Sequence, residues 1–368
     1  MRSRFTFGRF DVQRKKALVF WVALYTLGLS LSAHAQDRKA TITTFDAPGA
    51  GTGAFQGTLA SAINPAGAIT GQYLDANNVG HGYVRSPDGT FTSFDAPGSV
   101  GTAPNSINPG GAIAGYYVDA NSVAHGFLRS SDGTVRTFDV SGAQTTLAVN
   151  INPAETIGGY YFDDNGVHGF LRARDGKVTT FDVPGAAGTF TASVDGLNPA
   201  GAITGQYLDA NIVNHGYVRN PDGTFTTFDG PGGGTDAGQG TLTAGINPAG
   251  TVLGAYLDDT NVFHSIVRAR DGTITTYDVP GAGTDPFEGT LGENINPEGV
   301  IPGQYVDASG TTHGFLRAPD GTITTFDVPG AATGFGLGTF PVSNNPVDTI
   351  AGYYIDANFV FHGFLRIP

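Results

Sequence analysis

Seven copies of one pentapeptide, Phe-Asp-x-Pro-Gly, constrain this chain more than any other feature. They begin at Phe45, Phe94, Phe138 (with Ser141 in place of Pro), Phe181, Phe228, Tyr277 and Phe326, at intervals of 43 to 49 residues. A period of this length marks a supersecondary unit that cannot bury its apolar face alone and must stack on its neighbours. Each copy predicts four short strands. Strand a ends at Ile63, Ile107, Ile151, Leu197, Ile246, Ile295 or Asn344, each followed by Asn-Pro, a turn signal. Strand b alternates as in Ile69-Thr-Gly-Gln-Tyr73-Leu-Asp75, the period-two pattern of a pleated strand. Strand c opens with His and closes with Arg, as in His125-Gly-Phe-Leu-Arg129, and an Asp-Gly turn joins it to strand d, which ends in Phe-Asp.

The order of these strands decides between an open stack and a ring. The first strand d, Thr41 to Asp46, precedes any a, b or c, and the last copy stops after strand c at Arg366. Seven complete units exist only if the N-terminal strand joins the final one. Closure hides edge strands that an open stack would expose. The expected fold is therefore all-β: a seven-bladed β-propeller over residues 41–368, four antiparallel strands per blade. It is expected to be a monomer.

Residues 1–40 read differently. Arg2, Arg4, Arg9, Arg14, Lys15 and Lys16 precede an uncharged apolar run, Ala17 to Ala33, and Ala33-His-Ala35 follows. Basic region, apolar region and small-x-small site predict a secretory signal peptide over residues 1–35, with 36–40 a linker. Location is expected to be extracellular or periplasmic, with no membrane span after cleavage. Without the leader, 13 Lys+Arg face 31 Asp+Glu, a net charge of −18. So acidic a chain repels phosphate backbones, which excludes nucleic acid as a partner. The absence of cysteine excludes disulfides, thiolate metal sites and cysteine nucleophiles.

The His-Gly-Phe-Leu-Arg strand, the Ile-Asn-Pro-x-Gly-x-Ile-x-Gly strand pair and the signal peptide resemble the HAF-type extracellular repeat proteins. That family is named for a His-Ala-Phe triplet; here Gly replaces Ala in six copies, and Ser-Ile follows His264 in the seventh. The resemblance spans residues 41–368. It implies a secreted or surface location and a propeller-like fold, and no particular activity.

Repetition sorts the polar residues. Seven histidines open strand c and seven aspartates end strand b: Asp75 with His81, Asp119 with His125, Asp163 with His168, Asp209 with His215, Asp258 with His264, Asp307 with His313, and Asp356 with His362. Seven identical general acid/base sites make less sense than seven structural hydrogen bonds across the b–c loop, because half-buried polar groups need partners. The seven arginines closing strand c, Arg85 among them, are expected to pair with acids or carbonyls. Asp-x-Asn in the b–c loops leaves calcium as a minor alternative; no metal, cofactor or catalytic residue is otherwise predicted.

Copies differ chiefly between Phe-Asp-x-Pro-Gly and the next Asn-Pro. In a propeller the d–a and b–c loops share one face, so this face is expected to bind. Off-pattern residues assigned to it are Phe55, Phe190, Asp236, Asp285, Phe287, Glu288, Glu293 and Phe335, with Asp195 and Phe340 beside them. The first functional expectation is a non-catalytic module that binds a glycan or an extracellular protein. The alternatives are a propeller enzyme acting on a glycan or lactone, with proton transfer near Asp285, Glu288 and Glu293, and a structural surface or matrix protein.

Overall fold

A computed structural model describes residues 40–192 and 195–368. The leader expected over residues 1–35, and the linker up to residue 39, lie outside the described residues. Those described form strands and turns, with no helix among them.

The chain opens with β1 (Thr41–Phe45). The first copy follows as β2 (Gly57–Ile63), β3 (Ile69–Leu74), β4 (Gly80–Arg85) and β5 (Phe91–Phe94). The second is β6 (Gly101–Ile107), β7 (Ile113–Val118), β8 (Ala124–Arg129) and β9 (Val135–Phe138). Then come β10 (Thr145–Ile151), β11 (Ile157–Asp163), β12 (Gly166–Arg172) and β13 (Val178–Phe181). The fourth has β14 (Gly188–Thr191), β15 (Ile203–Leu208), β16 (Asn214–Arg219) and β17 (Phe225–Phe228). The fifth has β18 (Gly240–Ile246), β19 (Val252–Leu257), β20 (Phe263–Arg268) and β21 (Ile274–Tyr277). The sixth has β22 (Gly289–Gly292), β23 (Ile301–Val306), β24 (Thr312–Arg317) and β25 (Ile323–Phe326). The last is β26 (Gly338–Asn344), β27 (Ile350–Ile355) and β28 (Phe361–Ile367).

Within each copy the strands pair antiparallel in chain order. The final copy lacks a fourth strand of its own, and β1 supplies it: Thr41 faces Ile367 and Phe45 faces Gly363. Short parallel bridges join strand c to the next strand a where the d–a loop is long, as at Asn214 with Gly240 and Phe361 with Gly57. Gly57 sits there at φ 115°, and a Cβ would strike the Phe361 carbonyl, so only glycine fits.

The cores lie between consecutive copies. Ala351 and Leu365 of the last pack with Ala60, Ile63 and Ile69 of the first, while Ile350, Tyr354 and Phe364 pack with Phe326 on the other side. Polar seams reinforce these contacts. The Oγ1 of a buried threonine in strand a accepts the backbone N–H that follows Phe-Asp: Thr58 from Ala47, Thr102 from Ala96, Thr146 from Val140, through to Thr339 from Val328. The buried asparagine of each Asn-Pro turn holds its own turn through Oδ1, as Asn108 does for the Ala112 N–H at 3.0 Å. Its Nδ2 reaches the carbonyl of the next: Asn64 to Asn108, Asn108 to Asn152, and onward to Asn296 to Asn345.

Strand c arginines depart from expectation. They stack on the aromatic ring ending the preceding copy's strand d, Arg129 over Phe94 at 4.9 Å and Arg366 over Phe326 at 5.0 Å. Arg85 lies 4.9 Å over Phe45 of β1, continuing the series across the chain ends. Several of these guanidinium groups also donate long bonds to the adjacent backbone carbonyl, 3.4 Å for Arg129 to Ser130. Stacking on the preceding ring recurs in every copy, and Arg85 also lies 6.0 Å over Phe91 of its own copy.

Candidate functional site

The repeated polar residues form seven alike clusters. Each histidine Nδ1 lies 2.7–3.1 Å from the aspartate ending strand d, His81 with Asp95 and His215 with Asp229 among them. In the last cluster, His362 takes Asp46 from the chain's beginning at 3.0 Å. Asp75 is the looser partner of His81, at 3.8 Å, because its Oδ1 accepts the N–H groups of Asn77 and Val79 and so holds the b–c loop. Those N–H donors hold its carboxyl below the usual range. Asp163, Asp258 and Asp307 come closer to their histidines, at 3.2, 3.4 and 3.3 Å. Each histidine also packs on a strand b ring, Tyr73 with His81 at 5.1 Å. Burial alone would lower the pKa of His313, but Asp327 and Asp307 together lift it. Seven equal clusters pin strands b, c and d together; none is distinguished as a reactive site.

The off-pattern residues do not form one group. Phe55, Asp236 and Asp285 are exposed on the loop face, and Phe287 and Phe335 are half-buried there. Glu288 is buried beneath its loop and occupies the place of Gln56 and Gln239. All three accept a loop N–H through their side-chain oxygen, Gln56 from Gly53, Gln239 from Asp236 and Glu288 from Asp285. The two glutamines also donate to the b–c loop, Gln56 to the Ala76 carbonyl and Asn78 Oδ1. A carboxylate cannot donate. Burial, then the nearby Asp285 and Asp307, accordingly push the Glu288 carboxyl upward.

Phe190 and Phe340 lie instead on inner strands, Glu293 just past the end of one and Asp195 beside the Asn-Pro turns. Sequence reading put Asp195 and Glu293 on the loop face, and two local irregularities explain the difference. The three extra residues of the fourth copy do not lengthen its d–a loop, because β14 begins at Gly188, as early as β6 and β10 begin in theirs. They fall after Thr191, beside the Asn-Pro turns. Glu293 directly follows β22, and its N–H donates to the Pro302 carbonyl at 3.0 Å. In other copies this position is a bulge, where the register skips Ser61, Asn105, Val149, Ala244 and Val342. A bulge re-aims a side chain, and an alternating pattern does not reveal it.

Glu293 is thus the one carboxyl at a level otherwise held by Ser61, Asn105, Val149, Ala244 and Val342. Two residues earlier, strand a presents Leu59, Ala103, Leu147, Leu242, Leu291 and Phe340. Phe340 stacks on Tyr353 at 4.9 Å and 7°, and Phe190 meets Tyr160 at 5.4 Å. Burial in these surroundings pushes the Glu293 carboxyl up to about 7. Its charge reaches Tyr353 and Tyr277, whose hydroxyls burial already holds above their usual range.

A second, smaller feature lies where the Asn-Pro turns of all seven copies converge around a cavity of about 150 Å³. Asp195 and Asn294 line it, and Asn294 Nδ2 donates to Asp195 Oδ2 at 2.9 Å and to Ser343 Oγ at 3.1 Å. Burial raises the Asp195 carboxyl, which the Asn294 bond offsets in part. Sequence reading missed Asn294, Tyr353 and the seven threonines. Aligning the copies shows Thr at the second place of every strand a, a signal that was available.

No family model and no curated protein matches the chain. Solved structures do. A streptogramin B lyase superposes with TM-score 0.58 at 14% identity, over 88% of this chain and 97% of that one. Virginiamycin B lyase from Staphylococcus aureus gives 0.59 at 12% identity, covering 90% and 100%. The β-propeller domain of the trilobed protease from Pyrococcus furiosus gives 0.55 at 11%, covering 86% and 94%. At these identities the likeness establishes a propeller-like fold. It also corrects the first functional expectation. Folds like this one include two lyases and a domain of a protease, which overturns a non-catalytic binding module as the first reading.

Proposed function

We propose that the protein is an enzyme on a seven-bladed ring closed by β1 against β28, exported by its leader, that opens a lactone or related ester by proton transfer at Glu293. Ring closure is supported by the β1–β28 register, by Arg85 over Phe45 and by a cavity to which all seven copies contribute. The observation that carries the chemistry is the placement of a lone carboxyl within electrostatic reach of Tyr353 and Tyr277, where burial pushes it up to about 7. Such a group is half ionised at neutral pH and serves as a general base without large cost in either protonation state. One isolated carboxyl fits proton abstraction better than glycoside hydrolysis, which relies on two carboxyls facing one bond. The lyases of similar fold point the same way. In an elimination, Glu293 takes the proton from the carbon next to the one bearing the ester oxygen, a proton made acidic by a second carbonyl on that carbon. The double bond forms between these two carbons, and the C–O bond breaks to release the acyl part as a carboxylate. No water is consumed.

The test is turnover of a lactone panel followed by mass spectrometry. Elimination yields an unsaturated acid of unchanged mass, whereas hydrolysis adds one water. Glu293→Gln should lower kcat roughly a hundredfold or more, and the wild-type rate should rise with pH through about 7. Full activity in the glutamine variant would refute the assignment.

A further inference from the structure

Near its end, each of the four long d–a loops places a left-handed residue at the same point: Phe55 at φ 63°, Gly238 at 90°, Phe287 at 69° and Gly336 at 68°. Each donates its N–H to a left-handed residue of the neighbouring b–c loop, Phe359, Ile212, Asn261 and Gly310 respectively. The junction is a backbone device that glycine and asparagine satisfy without strain. Between the last copy and the first, both positions are phenylalanine. Phe55 is 54% exposed and Phe359 42%, with ring centroids 5.6 Å apart. Bulky side chains are strained in this conformation, and here neither is repaid by burial. Strain retained on exposed aromatic rings points to use.

The interior behind this pair differs from the other junctions too. Phe361, two residues beyond Phe359, meets Tyr353 edge-on at 5.9 Å, and Tyr353 stacks on Phe340. These three belong to an apolar cluster additional to the cores between copies. The other strand c openings are Gly80, Ala124, Val167, Asn214, Phe263 and Thr312. No other junction places aromatic residues at all of these positions. The stack ends within electrostatic reach of Glu293.

We propose that Phe55 and Phe359 form an aromatic platform that holds the substrate, braced by Phe361, Tyr353 and Phe340 against the sector containing Glu293. The ligand class is a small molecule bearing a planar aromatic ring, neutral or cationic, because Asp46 and Asp356 stand in the adjoining loops and the chain is strongly acidic. This rests on the catalytic reading for its purpose, but not for its test.

Binding of neutral N-phenyl-1-naphthylamine, followed by its fluorescence, is compared for wild type, Glu293→Gln and the double variant Phe55→Gly/Phe359→Asn, with anionic anilinonaphthalene sulfonate as control. The double variant should bind the neutral probe roughly tenfold more weakly while melting at a higher temperature, since it removes two strained residues. Glu293→Gln should bind as wild type does, and the anionic probe should bind more weakly than the neutral one. Unchanged probe affinity in the double variant, a lower melting temperature, or no binding by wild type would each overturn the platform. Absence of turnover, by contrast, bears on Glu293 alone.

Discussion

Replacing Glu293 with glutamine should make the protein more stable at alkaline pH and leave it unchanged at acidic pH. The folded carboxyl titrates near 7 and the unfolded one near 4.5. A group whose folded pKa is raised contributes its stability fully below the unfolded value and loses it as pH rises through the folded one. The window is therefore pH 4.5 to about 7. A shift of that size corresponds to at most about 3 kcal/mol. Because the side chain is only half-buried, the observed effect should fall below this ceiling. Glutamine matches the neutral acid in shape and carries no charge, so it should retain the acid-side stability throughout. Urea unfolding followed by far-UV circular dichroism is the suitable assay, since the only tryptophan, Trp21, lies in the leader. Wild type should lose stability as pH rises from 4.5 through about 7, and the variant should lose distinctly less. Histidines with raised pKa, His168 and His313, contribute a residual slope of the same sign in both proteins. Parallel pH profiles for the two would refute the burial argument, and with it the reason for choosing Glu293 as the base.

Glu288→Gln should likewise stabilise the protein above the ordinary carboxylate range, because it restores the donor that Gln56 and Gln239 supply; equal melting temperatures at neutral pH would count against this. Thr102→Val keeps the shape but leaves the buried Ala96 N–H without its acceptor, and should cost about 1–3 kcal/mol in chemical denaturation. Deleting residues 41–46 removes β1 together with Phe45 beneath Arg85 and Asp46 beside His362. The exposed edge of β28 should then produce a large fall in melting temperature and concentration-dependent association in gel filtration. A monomer of wild-type stability would remove the case for ring closure.

The strand content, the four-strand repeat and the partnership of Thr41–Phe45 with the last strand were all legible in the residues. They follow from local pattern: alternation, Asp-Gly and Asn-Pro turns, and an orphan strand at each chain end. The surroundings of the site were not legible, since they depend on which copies face one another. The pattern offered Asp75 as the partner of His81, whereas packing brings Asp95 closer, because strand d lies against strand c in the same sheet. Arg85 and its counterparts were expected on acids or carbonyls; they stack on the preceding copy's rings, and several also donate to the adjacent carbonyl. Glu293 was recognisable as irregular, yet its aim depends on a local departure from regular pairing, and its raised pKa on burial that only the packed copies create. Repetition along a chain specifies the unit and its hydrogen bonds. The electrostatics of a single carboxyl depend on everything within several ångströms, which only the packed copies bring together.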